Sequence, residues 1–311
     1  MMFRSGWLTV AFALAVGSHA CAQEDFPNEA LQIEAEYPRS AMNTAFGFGS
    51  LWIANGFKTV RLDASTGEII EINLDGASQK QRKIAIGEGA VWVPDVGADM
   101  VFKIDPTSNE VIGAFPIDML ATQGSIAAGA GSVWVVSADG FEKTLVRLNA
   151  DTGEEQARIA LPNAGIGVTF GFGSAWVTSG IGDALYRVDA DSNAVTAELD
   201  LGDGPLLVVT GEGSVWVHLQ SDASMVRVDG TKGDIVARIE TGLPSGVADL
   251  EFGDGYLWVN TPYKVSLAQI DPGSNTIVRK FSGAQGADAI DFGDGALWIS
   301  GRSIKRVTVP E

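Results

Sequence analysis

Cysteine and histidine are almost missing from this chain. Its 311 residues include one cysteine, Cys21, and two histidines, His19 and His218. That scarcity excludes a disulfide framework and a Cys/His-rich zinc site. Basic residues are few, 21 against 39 acidic ones, for a net charge of -18. Such a balance opposes binding to nucleic acid, whose phosphates attract lysine and arginine. After the first 22 residues no apolar run is long enough to span a bilayer, and no helical i, i+3, i+4 stripe of useful length appears. A P-loop, a dinucleotide fingerprint and a Gly-x-Ser-x-Gly elbow are also absent.

The first 22 residues have the layout of a secretory signal: Arg4 at a charged start, an apolar stretch at 7–16, and Ala20-Cys21-Ala22 before a cut. The expected mature domain is 23–311, periplasmic or secreted. Cys21 leaves two readings open. It departs with the signal, or it is the lipid-bearing residue of an outer-membrane lipoprotein, although Ser18 stands where lipoprotein signals usually hold Leu.

What is abundant is ordered. Trp52, Trp92, Trp134, Trp176, Trp216, Trp258 and Trp298 recur at gaps of 40, 42, 42, 40, 42 and 40 residues. Each follows a Gly-x-Gly at a constant offset, from Gly47 and Gly49 to Gly293 and Gly295. A period near 40 denotes a repeat architecture. Within the third repeat, 125–128 is a short strand and 129–131 a tight turn. Residues 133–136 (Val-Trp-Val-Val) form a buried strand, 144–149 a third strand, and 156–160 a fourth. A second turn opens on Asp63, Asp105, Asn149, Asp189, Asp229 or Asp271, with only Gly or Asn four residues later. Those two residues enter the left-handed region most easily. One carboxylate per turn is too few for a calcium loop.

Four strands in each of seven repeats describe an all-β chain, a seven-bladed β-propeller of four-stranded antiparallel blades. The tryptophans then pack between blades. The last repeat stops after its third strand, 304–309, and residues 31–36 occupy the place of a missing fourth. The last blade is therefore expected to be closed by the N-terminal strand, which removes an exposed edge.

Units such as Gly211-Glu212-Gly213-Ser214-Val215-Trp216-Val217 resemble the YncE-like and streptogramin (virginiamycin B) lyase-like propellers over residues 31–309. These are similar in turn to the β-subunit of quinohaemoprotein amine dehydrogenase. The lyase resemblance implies elimination on a cyclic depsipeptide, with magnesium and a His/Glu set. This chain departs from that pattern. None of its blades reads Trp-Phe-Thr-Glu, residues 241–257 hold no histidine, and His218 is the one candidate base. The turn Asp63-Ala64-Ser65-Thr66-Gly67-Glu68 resembles that of PQQ-enzyme blades, but Ile69 and Ile70 stand where those carry Trp, and there is no Cys-x-x-Cys-His haem site.

In propellers, ligands generally meet the face shared by the blade-to-blade crossings and the loops after each second strand. Candidates on the loops are Asn55, Asp95, Asp139, His218, Asn260 and Arg302; on the crossings, Arg39 and Gln123. The run Lys80-Gln81-Arg82-Lys83, with Arg39 and Lys58, is a candidate basic island for an anionic ligand or partner. The expected function is an exported binding or scaffold module for a small molecule or protein, without a cofactor. Two alternatives stand beside it. One is a lyase-like enzyme with His218 as base and Asp95, Asp139 or Asn260 holding a divalent ion such as magnesium. The other is an accessory subunit of a periplasmic redox enzyme.

Overall fold

The structure is a computed structural model that describes residues 28–55, 58–78, 83–117, 126–137, 144–221, 224–243, 246, 249–261 and 267–309. The described residues form seven antiparallel blades, with no helix among them. Blades one to six span residues 43–73, 85–116, 126–160, 168–200, 205–239 and 249–282. Blade seven combines 289–308 with the N-terminal strand Gln32–Tyr37, which pairs antiparallel with Ile304–Thr308. The closing strand foreseen at 31–36 thus lies one residue further on. A second short strand, Asn28–Ala30, was not foreseen. It adds in parallel to the outer edge of blade six, making that sheet five-stranded. Each innermost strand touches the next, and that of blade seven, Ala289–Gly293, touches that of blade one, Asn43–Gly47. The ring is closed.

All seven repeat tryptophans are fully buried. Each indole N–H donates to the carbonyl of the first glycine of its own Gly-x-Gly, at 3.0 Å for Trp52 and up to 3.2 Å for Trp298. The polar atom of a large apolar side chain is thus satisfied inside the core. In six blades a cation from the adjacent strand lies over the ring, as Arg147 does on Trp134 at 4.8 Å. Several of these cations also tie blade to blade. Arg61 donates to Asn109 Oδ1 at 3.0 Å, and Arg227 to Asn275 Oδ1 at 2.9 Å, each on the outer turn of the following blade. In blade six Gln269 takes the place of the cation opposite Trp258.

The two glycines of each Gly-x-Gly do different jobs. The second has positive φ, 66–78° around the ring, and so does the residue before it, which is the geometry of a two-residue hairpin turn. The first is needed for closeness. A Cβ there would run into the next blade: Gly129 into Phe170, Gly211 into Phe252, Gly293 into Phe46. The outer turns also follow the sequence expectation. Asn109, Asn193 and Asn275 adopt φ of 53–60°, and Gly67, Gly153 and Gly233 of 72–81°. Their opening Asp or Asn accepts backbone N–H groups two or three residues on, as Asn149 does from Asp151 and Thr152.

Candidate functional site

The innermost strands of all seven blades surround a cavity of about 300 Å³ along the ring axis. Toward the Gly-x-Gly turns its wall is mainly apolar, with Phe46, Ile86, Phe170, Phe252 and Phe292. Toward the crossing face it carries Lys83, Asp249, Glu251 and Asp291. Lys83 precedes the innermost strand of blade two, whereas Asp249 opens that of blade six. The Lys83 ammonium donates to Asp249 Oδ1 at 3.0 Å. Blades two and six are three sectors apart in the ring, so this ion pair crosses the channel rather than a seam between neighbours. Both residues also line a small recess on the crossing face, with Met42, Asn43, Thr44, Asp288 and Ala289, so the pair stands between that recess and the main cavity.

The acids are held in place by the backbone and by Thr44. Asp249 accepts the N–H groups of Leu250 at 3.0 Å and Ile290 at 3.2 Å. The Thr44 hydroxyl of blade one donates to Asp291 Oδ2 of blade seven. Burial, with the nearby charge of Asp291, pushes the Glu251 carboxyl up to about 8. Burial also raises Asp291, to about 7, with Asp249 adding to the rise and the Thr44 hydrogen bond opposing it. Burial works against the Lys83 ammonium, yet the charges of Asp249 and Glu251 and the hydrogen bond to Asp249 overcome it and hold its pKa above the ordinary lysine value. The cluster therefore has one firmly held cation and two carboxyls that titrate near neutrality.

The sequence carries a signal for these acids that lies outside any motif. The residue seven positions before each repeat Trp pairs with it in register: Ala45, Ala85, Ala127, Thr169, Val209, Glu251 and Asp291. Five blades place a small or apolar side chain there and two adjacent blades place an acid. Lys83, read in the sequence as the end of a basic loop, turns into the channel instead.

The ten residues singled out from the sequence are distributed differently. Lys80, Arg82, Gln123 and Asp139 lie outside the described residues. None of the other six lines the cavity. Arg39 and Lys58 both pair with Glu71, at 2.8 and 2.6 Å, and these hydrogen bonds, that of Arg39 first, hold the Glu71 carboxyl down at about 2. Asn55 and Arg302 are exposed. Asp95 is wholly enclosed and accepts from the Ser78 N–H and hydroxyl and from the N–H groups of Gly97 and Ala98. Asn260 is wholly enclosed and donates to the Ala287 carbonyl at 3.1 Å. His218 is 0% exposed and sits opposite Met225 in blade five.

The magnesium that the lyase resemblance implies is not matched by the described residues, and Asp139 lies outside them. The Asp95 oxygens are taken up by four donors, and among the described residues no three of His, Cys, Asp and Glu are grouped to hold a metal ion. No described helix is long and apolar enough to cross a membrane.

Ring and channel together define a seven-bladed β-propeller with a charged axial cavity. No protein-family model and no curated protein matches the chain. Solved structures do match. A streptogramin B lyase is similar at 19% identity and TM-score 0.72, over 91% of this chain and 96% of its own. A catalytically inactive virginiamycin B lyase from Staphylococcus aureus, solved with quinupristin, matches at 18% and 0.74, over 89% and 99%. The Cps50 (Swd1) β-propeller domain from Myceliophteria thermophila matches at 13% and 0.75, over 90% and 100%. The similarity to the lyases extends over nearly the whole propeller, and it is a similarity of fold, since the Cps50 domain fits equally well.

Proposed function

We propose that the chain is an exported binding protein whose axial cavity takes up a small molecule from the crossing face. The observation that carries this reading is the cavity itself: about 300 Å³, apolar at one end and charged at the other. Apolar walls with a few convergent polar groups are the usual make-up of a small-molecule site, and this volume is at the small end of the range. A protein partner is less well served, because the charged groups of the cavity lie within the ring rather than on an outer face. Export is supported by the charged start, apolar stretch and small residues of positions 1–22.

The lyase alternative has the shared fold in its favour. Against it stand the enclosure of His218, which leaves the imidazole no open surface to meet a substrate, and the occupied oxygens of Asp95. The binding reading is tested by thermal shift with a panel of small molecules on the mature protein and on Ala127→Leu, which fills part of the cavity. Stabilisation of the parent that Ala127→Leu loses supports it. Equal stabilisation of both moves the site elsewhere.

A further inference from the structure

Among the described residues that line the cavity, Lys83 is the only cation, and it faces three carboxyls. Packing does not call for two of them, Glu251 and Asp291, since the other five blades fill the position opposite Trp with Ala, Thr or Val. Backbone N–H groups and the Thr44 hydroxyl meet part of the hydrogen-bonding need of these carboxyls, but one ammonium is the only opposing charge among the described lining residues for three acids.

Resting on the channel as the binding site, we infer that its ligand is a compact organic cation, an ammonium, amidinium or guanidinium on a small apolar body, and that Lys83 fills the cation's place in the free protein. The mainly apolar end of the cavity accommodates the apolar body. Lys83 is tethered and spans the channel from the opposite wall, so an entering cation competes with it for Asp249 and recruits Glu251 and Asp291. Because these two carboxyls are partly protonated near neutrality, a cation beside them favours their ionised forms. Binding then releases protons, and affinity rises with pH between about 6 and 8.

Benzamidine, benzamide and benzoate share one shape and differ in charge, which makes them the probes of choice. Calorimetry on the mature protein is expected to show benzamidine binding at least ten-fold more tightly than benzamide, with benzoate weakest. Heats that vary with the ionisation enthalpy of the buffer report the proton release. Lys83→Gln should tighten benzamidine binding and leave benzamide unchanged, whereas Glu251→Gln should weaken benzamidine. Should Lys83→Gln fail to fold, Lys83→Gln/Asp249→Asn removes both charges and leaves Glu251 and Asp291 as the cation's partners, with the same preference for benzamidine expected. Equal binding of all three probes overturns the charge assignment while keeping the channel as the site, provided Ala127→Leu abolishes it. Weaker benzamidine binding by Lys83→Gln overturns the stand-in role of Lys83. No binding of any probe, with no loss on Ala127→Leu in the wider panel, overturns both readings.

Discussion

The ring of Phe46 occupies the space into which a Cβ on Gly293 would project, and this contact joins the first blade to the last. The same contact recurs at each seam, with Phe, Ile, Thr or Ala as the incoming side chain. Gly293→Ala should therefore overpack the seam and cost about 1–3 kcal/mol. Gly295→Ala meets nothing within 4 Å but must hold φ near 68°, a cost of about 1–2 kcal/mol from backbone alone. Denaturant unfolding of each variant combined with Phe46→Ala separates the causes. Phe46→Ala should rescue Gly293→Ala and simply add to Gly295→Ala; additivity in both cases would show that the seam is not limited by that approach.

The channel acids set a pH dependence of stability. Glu251 and Asp291 hold their protons more tightly in the folded ring than in the unfolded chain, about 8 and about 7 against 4.5 and 3.8. Between those values the folded state binds more protons, so their contribution to stability declines as pH rises from about 4 to about 8. Glu251→Gln removes one titrating group. Its melting temperature relative to the parent should therefore rise steadily from pH 5 to pH 8. A constant difference across that range would mean that Glu251 does not titrate there.

Closure depends on Gln32–Tyr37 far more than on Asn28–Ala30. Tyr37 stacks on Trp298 at 6.4 Å, and Arg306, which lies over the same Trp298 ring, pairs with Glu34 at 3.3 Å. Removing the chain up to residue 31 should leave a cooperative transition with a modest drop in melting temperature. Removing it up to residue 42 should open blade seven, expose the edge of Ile304–Thr308 and give aggregation on size exclusion. Tyr37→Ala is expected to fall between, losing about 1–3 kcal/mol.

Incubation with quinupristin and magnesium should leave the depsipeptide ring closed. Elimination does not change mass, so chromatography is the measurement. Ring opening at a rate unaffected by His218→Ala would revive the lyase reading with a different base.

The fold could be read because each blade spells out its own constraints. Indole and glycine recur together since the Trp N–H closes on that backbone carbonyl at the very place where the next blade leaves no room for a Cβ, and the Asp/Asn turns recur since their geometry allows few residues. The strand Asn28–Ala30 was not readable: three residues of parallel pairing leave no periodicity. The site was harder for a related reason. Residues just past each Trp read in the sequence as a mouth, but the second strand of a blade lies between its neighbours, which is why Asp95, His218 and Asn260 are enclosed. Lys83 and Asp249 are 166 residues apart and meet only because the ring closes, a distance no local pattern spans. The comparison that would have exposed the acids is between blades at one position, where Glu251 and Asp291 break the run of small side chains.

A sevenfold ring has no preferred direction around its axis. Among the described lining residues the acids sit in two adjacent sectors and the one lysine comes from another wall, which gives the bore a polarity. A guest that senses charge can then settle in one rotational setting out of seven, so an unsymmetrical molecule would be held in a single pose by a nearly symmetrical host.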